Sequence, residues 1–297
     1  MEMWWILCVV VGLYLLVLVG VSLLFIHPFR TPIFISPGYV GCKQEEFSIA
    51  SEDGAQYKSK HTLHGWWSDL DHQESPKVVV VCAHGYMMNR AELSPLAFPL
   101  SQWGCASVFF DFRAHGKSGG KKSGFGLSEV SDLKVIVEAA RARYPGAKVV
   151  CLGSSMGAAA SSFFAAQYPE LVDGLVLDSA YDRLSDAVDG WWFFIGGKIA
   201  RLVLAPAVHV GIPLAGMNPK SVYVSKALSM VNKPTLILHG EADVLASPQA
   251  AKSNYDALKG LKEIVWFAGR NHSEARWEDS EKYLSHLESF LKSYFLG

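Results

Sequence analysis

The sequence predicts an α/β protein: a mostly parallel sheet with helices on both faces, a helical cap insertion, and one transmembrane helix in front. Three observations carry that expectation. From Met3 to Ile26 run 24 residues without a charge. Beyond Phe47, short apolar runs rich in β-branched residues alternate with helical patterns. Between Arg183 and Lys226 that alternation breaks.

The apolar run comes first. As a helix it would reach about 36 Å, enough to cross a hydrocarbon core of about 30 Å with some tilt. A cleaved signal peptide would want a basic start, a shorter apolar core and small residues at a cleavage site. Here the start is Met1-Glu2-Met3 and the run ends in His27-Pro28-Phe29-Arg30. A buried core helix rarely stays apolar on every face for this length. The expectation is an uncleaved anchor over residues 1–27. Arg30 and Lys43 beyond it, against Glu2 before it, put the body on the cytoplasmic side.

A connector follows over residues 28–44, punctuated by proline, and the body extends over 45–297. Phe47–Ala50 and Leu63–Trp67 read as opening strands around the turn residues Asp53-Gly54. Then Val78–Cys82 precedes a helix near Glu92–Trp103, and Ser107–Phe112 precedes one near Ser128–Tyr144. Val149–Leu152 leads into Gly157–Tyr168, and Leu175–Leu177 follows. Thr235–Leu238 precedes Pro248–Leu258, and Glu263–Phe267 precedes Ser280–Tyr294. Short continuous apolar strands alternating with helices mean a parallel sheet covered on both faces. Cys82, Cys105 and Cys151 fall in or beside such strands and suit a core role or a reducing compartment.

Residues 183–226 are too long for an ordinary connection. They hold Trp191-Trp192-Phe193-Phe194-Ile195 but are broken by Gly196, Gly197, Pro206 and Pro213. Two readings stand together: a helical excursion with its own small core, and a cap whose apolar underside selects greasy substrates or touches lipid.

Composition narrows the function. The chain is 50% hydrophobic and 19% charged with a formal net charge of −1, which excludes disorder. A neutral body without a basic block argues against nucleic acid as a partner. Five cysteines are too sparse for a disulfide-stapled scaffold.

The chemistry begins at Gly153-Ser154-Ser155-Met156-Gly157. This G-x-S-x-G lies between an apolar strand and an Ala-rich helix. A sharp strand-to-helix turn lifts Ser155 clear of the sheet, and the flanking glycines remove side chains that would clash there. The helix amino terminus then points backbone N–H groups at the place where negative charge develops.

With that motif in place the chain resembles the α/β-hydrolases, in particular the membrane-associated serine hydrolases of the Bem46-like and ABHD-type group, over residues 45–296. His84-Gly85 matches the family's His-Gly at its oxyanion loop. Asp111-Phe112-Arg113-Ala114-His115-Gly116-Lys117-Ser118 resembles its D-x-R-G-x-G-x-S loop, with Ala114 where glycine is usual. Leu238-His239-Gly240-Glu241-Ala242-Asp243 resembles its H-G-x-x-D segment, and Asn271-His272 its late histidine. The resemblance implies a triad in the chain order Ser155, Asp243, His272. Neutral His272 would take the serine proton, and Asp243 would hold the imidazole in the right tautomer. Asp178, also at a strand end, is the rival acid. The backbone N–H groups of Tyr86 and Met156 would form the oxyanion hole.

Other patterns carry less. Gly116-Lys117-Ser118 lacks the earlier glycine of a phosphate loop, where the chain has Asp111. His61 and His64 have metal-like spacing, but on a strand they point to opposite faces. Asn271-His272-Ser273 is formally a glycosylation sequon, yet a glycan there would crowd His272. The expectation is a membrane-anchored serine hydrolase, without cofactor, cleaving carboxylic esters or thioesters with a long acyl chain. A peptidase or amidase is the enzymatic rival, and a tethered scaffold without turnover the non-enzymatic one. Residues 1–36 should be dispensable for a short soluble ester, and replacing Trp192 and Phe193 with Ser should hurt long-chain substrates more than short ones.

Overall fold

The computed structural model describes residues 2–52, 60–69, 75–214 and 222–297. In chain order they form α1 (Glu2–Ile26), β1 (Glu45–Glu52), β2 (Lys60–Ser68), β3 (Val78–Ala83), α2 (Ala97–Gln102) and β4 (Cys105–Phe110). Then come α3 (Glu129–Arg143), β5 (Lys148–Ser154), α4 (Met156–Gln167) and β6 (Gly174–Asp178). The cap holds α5 (Leu184–Leu204), α6 (Ala207–Leu214) and α7 (Val224–Leu228). The chain closes with β7 (Thr235–Gly240), α8 (Pro248–Ala257), β8 (Lys262–Phe267), α9 (Ala275–Glu278) and α10 (Ser280–Leu291). The expected turn at Asp53-Gly54 lies outside the described residues, as does 215–221 of the cap.

The eight strands make one sheet in the order β1-β2-β4-β3-β5-β6-β7-β8. β1, β2 and β4 pair antiparallel, and every pairing from β4 onward is parallel. Ala83 sits beside Gly153, Ser154 beside Asp178, and Asp178 beside Leu238. The carboxyl ends of β3, β5, β6 and β7 therefore line up along one edge, where such sheets place their sites. β3 shows why its residues are all apolar. Val79 and Val81 join a core with Leu133 and Ile136 of α3, while Val78 and Val80 face Leu100 of α2 and Phe290 of α10. A strand buried on both faces has no polar positions to alternate with.

The expected helix near 92–103 shrinks to a 3-10 turn at Ser94–Leu96 followed by α2. Pro95 and Pro99 lack the N–H groups that a longer helix would need. Glu92, freed from helical geometry, turns under the neighbouring loop.

α1 is long and apolar enough to cross a membrane. Most of its surface is exposed, but Leu18, Ser22 and Ile26 are buried along one stripe at helical spacing. That stripe packs against α6, with Ser22 Oγ 2.7 Å from the Ala207 carbonyl. Tyr14 donates its hydroxyl proton to the Val203 carbonyl of α5 at 2.8 Å.

The connector is bound as tightly. Nη1 of Arg30 reaches the carbonyls of His115, Gly116 and Ser118 at 3.1, 2.7 and 2.6 Å, and Nη2 reaches that of Gly120 at 3.1 Å. Thr31 donates to the Met87 carbonyl (3.0 Å), and Asn89 donates to the Thr31 and Pro32 carbonyls (3.0 and 3.1 Å). Residues 25–35 are thus part of the body rather than a free tether. That corrects the expectation that everything before Pro37 is dispensable to the site.

Candidate active site

Ser155 sits between β5 and α4 with φ 50° and ψ −109°. A non-glycine residue there costs on the order of 1–3 kcal/mol, which the surrounding packing must hold. The flanking glycines explain how it is held. A Cβ on Gly157 would lie 2.0 Å from the Ala83 carbonyl oxygen, and one on Gly153 would lie 2.3 Å from the Gly157 backbone. Only hydrogen fits at either position, so β5, α4 and β3 close tightly around the turn. The Ser155 N–H donates to the Asp178 carbonyl at 2.8 Å, fixing the turn to β6.

The structure brings the three expected side chains together. Ser155 Oγ lies 2.9 Å from His272 Nε2, and His272 Nδ1 lies 2.8 Å from Asp243 Oδ2. Asp243 is buried, and its other oxygen accepts the N–H groups of Leu245 (2.9 Å) and Ala246 (2.8 Å). The carboxylate is therefore oriented by its own loop. Asn271 Oδ1 accepts the N–H groups of Val244 (3.2 Å) and His272 (2.9 Å), joining the Asp243 loop to the His272 loop.

Asp178, the rival acid, faces elsewhere. Its carboxylate accepts the Tyr283 and Ser179 hydroxyls, both at 3.1 Å, and lies 3.3 Å from Arg276 Nε. Burial raises its pKa despite Arg276.

The loop after β3 carries Tyr86. Its hydroxyl donates to the Phe25 carbonyl at 2.6 Å, and its ring stacks on Phe25 with centroids 6.0 Å apart. Among the described residues, the N–H groups of Tyr86 and Met156 have no protein acceptor, and both residues line the cavity above Ser155.

Two buried histidines brace this loop. His84 Nε2 accepts the Phe112 N–H (3.0 Å) while its Nδ1 donates to the Gly85 carbonyl (2.7 Å). His115 Nε2 accepts the Met87 N–H (3.2 Å), and its Nδ1 donates to the Arg113 carbonyl (2.8 Å). Each ring needs one bare nitrogen, so each is neutral. Burial accordingly pushes His115 down to about 3 and His84 below its ordinary value. Ala114, where the resemblance led us to look for glycine, takes φ 62° and donates its N–H to the Gly119 carbonyl. The turn forms without glycine, at a cost of about 1–2 kcal/mol.

Sequence reasoning missed Glu92 and Arg276. Both are buried beneath the serine turn and paired at 2.7 Å. Glu92 also accepts the Gly85 N–H and the Ser154 hydroxyl, each at 2.7 Å. Burial alone would raise its pKa. Arg276 and those two hydrogen bonds outweigh that and hold it below the ordinary value. Glu92 thus links the loop of Gly85 to the serine turn and to α9.

The same loops enclose a cavity of about 680 Å³, a size that suits a small-molecule ligand. Ser155 and His272 open into it, and Leu184, Val188 and Trp191 of the cap cover it. The expectation for the cap needs correction at Trp192 and Phe193, neither of which lines this cavity: Trp192 is buried behind it. Trp191 faces the cavity, whereas Phe193, Phe194 and Ile195 are 38%, 59% and 59% exposed on the outside. One side of α5 covers the site and the other meets the surroundings. Phe25, Thr31, Pro32, Phe34 and Ile35 form the opposite wall.

His61 and His64 do point to opposite faces. The first bonds Asp132 at 2.8 Å and the second lies 2.9 Å from the Ser48 hydroxyl.

A serine on a strained turn after the central parallel strand, in this strand order, defines an α/β-hydrolase. A family model described as serine aminopeptidase, S33, matches residues 74–222, and the chain belongs to that family of serine hydrolases. A monoacylglycerol lipase of Mycolicibacterium smegmatis is 29% identical over 170 residues, which is 56% of this chain and 59% of that lipase. An uncharacterized Bacillus subtilis protein is 21% identical over 221 residues, covering 73% of this chain and 72% of its own. Among solved structures, an esterase of Pyrococcus furiosus superposes with a TM-score of 0.73 at 23% identity, over 91% of this chain and 98% of its own. The fold is therefore shared well beyond the family model's span.

Proposed function

We propose that the chain is a membrane-anchored serine hydrolase that cleaves carboxylic esters or thioesters carrying a long acyl chain. The observation that carries this reading is Ser155 Oγ at 2.9 Å from His272 Nε2, with both opening into a largely apolar cavity. Ser155 attacks the acyl carbonyl while His272 takes its proton. Asp243 holds Nδ1 protonated and stabilises the imidazolium. The N–H groups of Tyr86 and Met156 receive the developing oxyanion. His272 then protonates the leaving group, and a water activated by the same histidine releases the acid. The lipase and esterase relatives favour an ester substrate.

The family's description favours a second reading, an aminopeptidase. Such an enzyme must hold the substrate's terminal ammonium, usually with a carboxylate. The carboxylates lining the cavity among the described residues are Glu92, committed to Arg276, and Glu274, which accepts the Asn271 N–H at 2.7 Å. That weighs toward the ester.

The anchor reading draws on the contacts of α1. A signal sequence would be cut away, yet Tyr14, Ser22 and Phe25 are bonded to the cap and to Tyr86. Phe34, Met88 and Trp277, 80%, 42% and 57% exposed, line the cavity and give it an apolar mouth suited to substrate drawn from a bilayer. Arg30 and Lys43 favour a cytoplasmic body.

A fluorophosphonate should label the full chain in detergent at Ser155, and Ser155→Ala should abolish labelling. A panel of esters, thioesters and peptides then separates the two readings. Labelling that survives Ser155→Ala rejects the nucleophile, and faster turnover of peptides than of esters rejects the substrate class.

A further inference from the structure

A second, much smaller cavity lies behind the first, on the side of the apolar helix. It measures about 20 Å³ and is lined by Ser22 and Ile26 of α1 and by Trp192, Ala207 and Val208 of the cap. Phe25, Phe125, Leu184 and Val188 border both cavities. Of these, Phe25 sits at the junction, its ring stacked on Tyr86 and 5.1 Å from the centroid of Trp192. It also meets Trp191 edge-on at 6.3 Å. The polar side-chain atoms among the smaller cavity's lining residues are Ser22 Oγ and the buried Trp192 Nε1, the latter without a hydrogen-bond partner among the described residues. The Ser22 hydroxyl is already within reach of the Leu18 and Ala207 carbonyls.

We propose that Phe25, in the last turn of α1, is the acyl-length stop of the active site. Resting on the ester reading above, an acyl chain bound at Ser155 runs along the apolar cavity until it meets the Phe25 ring. The space beyond, between α1 and the cap helices, is closed to it while that ring is in place. The helix that anchors the protein would then also set which chain lengths are turned over fastest. This role is distinct from anchoring, because it depends on one side chain facing inward rather than on the apolar surface facing outward.

Two opposite substitutions on the full chain in detergent micelles test it, with soluble esters graded by acyl length. Phe25→Ala joins the two cavities, so the preferred acyl chain should lengthen. Each extra methylene accommodated should raise relative kcat/KM by up to about fourfold. Phe25→Trp fills more of the junction and should shorten the preference. Trp192→Ala enlarges only the far cavity. It should lengthen the preference further when combined with Phe25→Ala and do little alone. Leu16→Ala, on the exposed surface of α1, should leave the profile unchanged.

An unchanged length profile in both Phe25 variants, with wild-type protein active on esters, overturns the proposal. Phe25→Trp retains an aromatic ring and decides the matter if Phe25→Ala does not fold. Failure of the underlying reading looks different: wild-type protein would hydrolyse no ester of any length.

Discussion

Replacing Asp243 with Asn tests the proposed triad at its most informative point. Oδ1 of Asp243 is held by the N–H groups of Leu245 and Ala246 at 2.9 and 2.8 Å, while Oδ2 faces His272 Nδ1 at 2.8 Å. An asparagine must keep its carbonyl oxygen toward the two backbone donors, so its NH₂ group faces the histidine. Nδ1 must then accept, which moves the ring proton to Nε2, the nitrogen facing Ser155. In that tautomer His272 cannot take the serine proton. The expected loss is roughly 10⁴-fold in kcat, or about 5 kcal/mol of transition-state stabilisation. The fold should survive, because both loop hydrogen bonds and the side-chain volume are retained. Thermal unfolding in detergent checks the fold, and steady-state ester hydrolysis checks the rate. Asp178→Asn is the control: that carboxyl serves Tyr283 and Ser179, so the rate should fall much less. A drop of less than about tenfold for Asp243→Asn would reject the tautomer argument, and a larger drop for Asp178→Asn would reassign the acid.

Three further outcomes follow from the groups around the site. Arg276→Met leaves Glu92 and Asp178 buried without their cation and should cost about 3–5 kcal/mol in urea unfolding; a change under about 1 kcal/mol would show the network to be structurally idle. His115 is neutral when folded, with its pKa pushed down to about 3, whereas the unfolded chain protonates it near 6.5. Its contribution is present above about pH 6.5 and is lost as pH falls toward 3, so stability should drop by about 2 kcal/mol between pH 7 and pH 5. His115→Gln should flatten that slope by about one proton, and an unchanged slope would reject the assignment. Removal of residues 1–36 takes away Arg30's bonds and one wall of the cavity, and should lower the melting temperature and cost at least about tenfold on long-chain esters even in detergent. Full activity of the shortened chain would return the connector to the status of a tether.

The legible parts of this chain were those whose physics is local. β3 and β5 announce themselves because a strand covered on both faces must be apolar throughout. The serine turn is legible because its steric demand falls on Gly153 and Gly157, two residues away on either side. Even the reach from Ser155 to Asp243 and His272 followed from a resemblance in which the chain order is characteristic. Glu92 had no such marker. Its partner Arg276 lies 184 residues further on, and a lone acid before Ser94-Pro95 looks like the start of a helix. Only folding shows that the helix starts beyond Pro95 and that the carboxylate lies beneath Gly85. Phe193 failed for a related reason. A run of five apolar residues on a helix does not say which of them faces inward, and the two sides of α5 separate only once packed over the cavity.

α1 poses the same difficulty in its strongest form. In an amphipathic helix the polar side marks the apolar one as the buried side, and its inward residues can be named from periodicity. A helix apolar on every side carries no such mark. Leu18, Ser22 and Ile26 are buried while Leu15, Leu16 and Leu23 are exposed, yet their hydropathy does not distinguish them. The only polar side chain on the buried stripe is Ser22, and a serine within a hydrophobic run is easily passed over. It is nevertheless informative, since a hydroxyl in an apolar setting needs an acceptor, and the Ala207 carbonyl of the cap lies 2.7 Å away. One turn further on, Phe25 enters the cavity and accepts the Tyr86 hydroxyl through its backbone. The inward face of the helix is thus bound on one side to the cap and on the other to the loop proposed to hold the oxyanion. A shift of α1 would be felt at both.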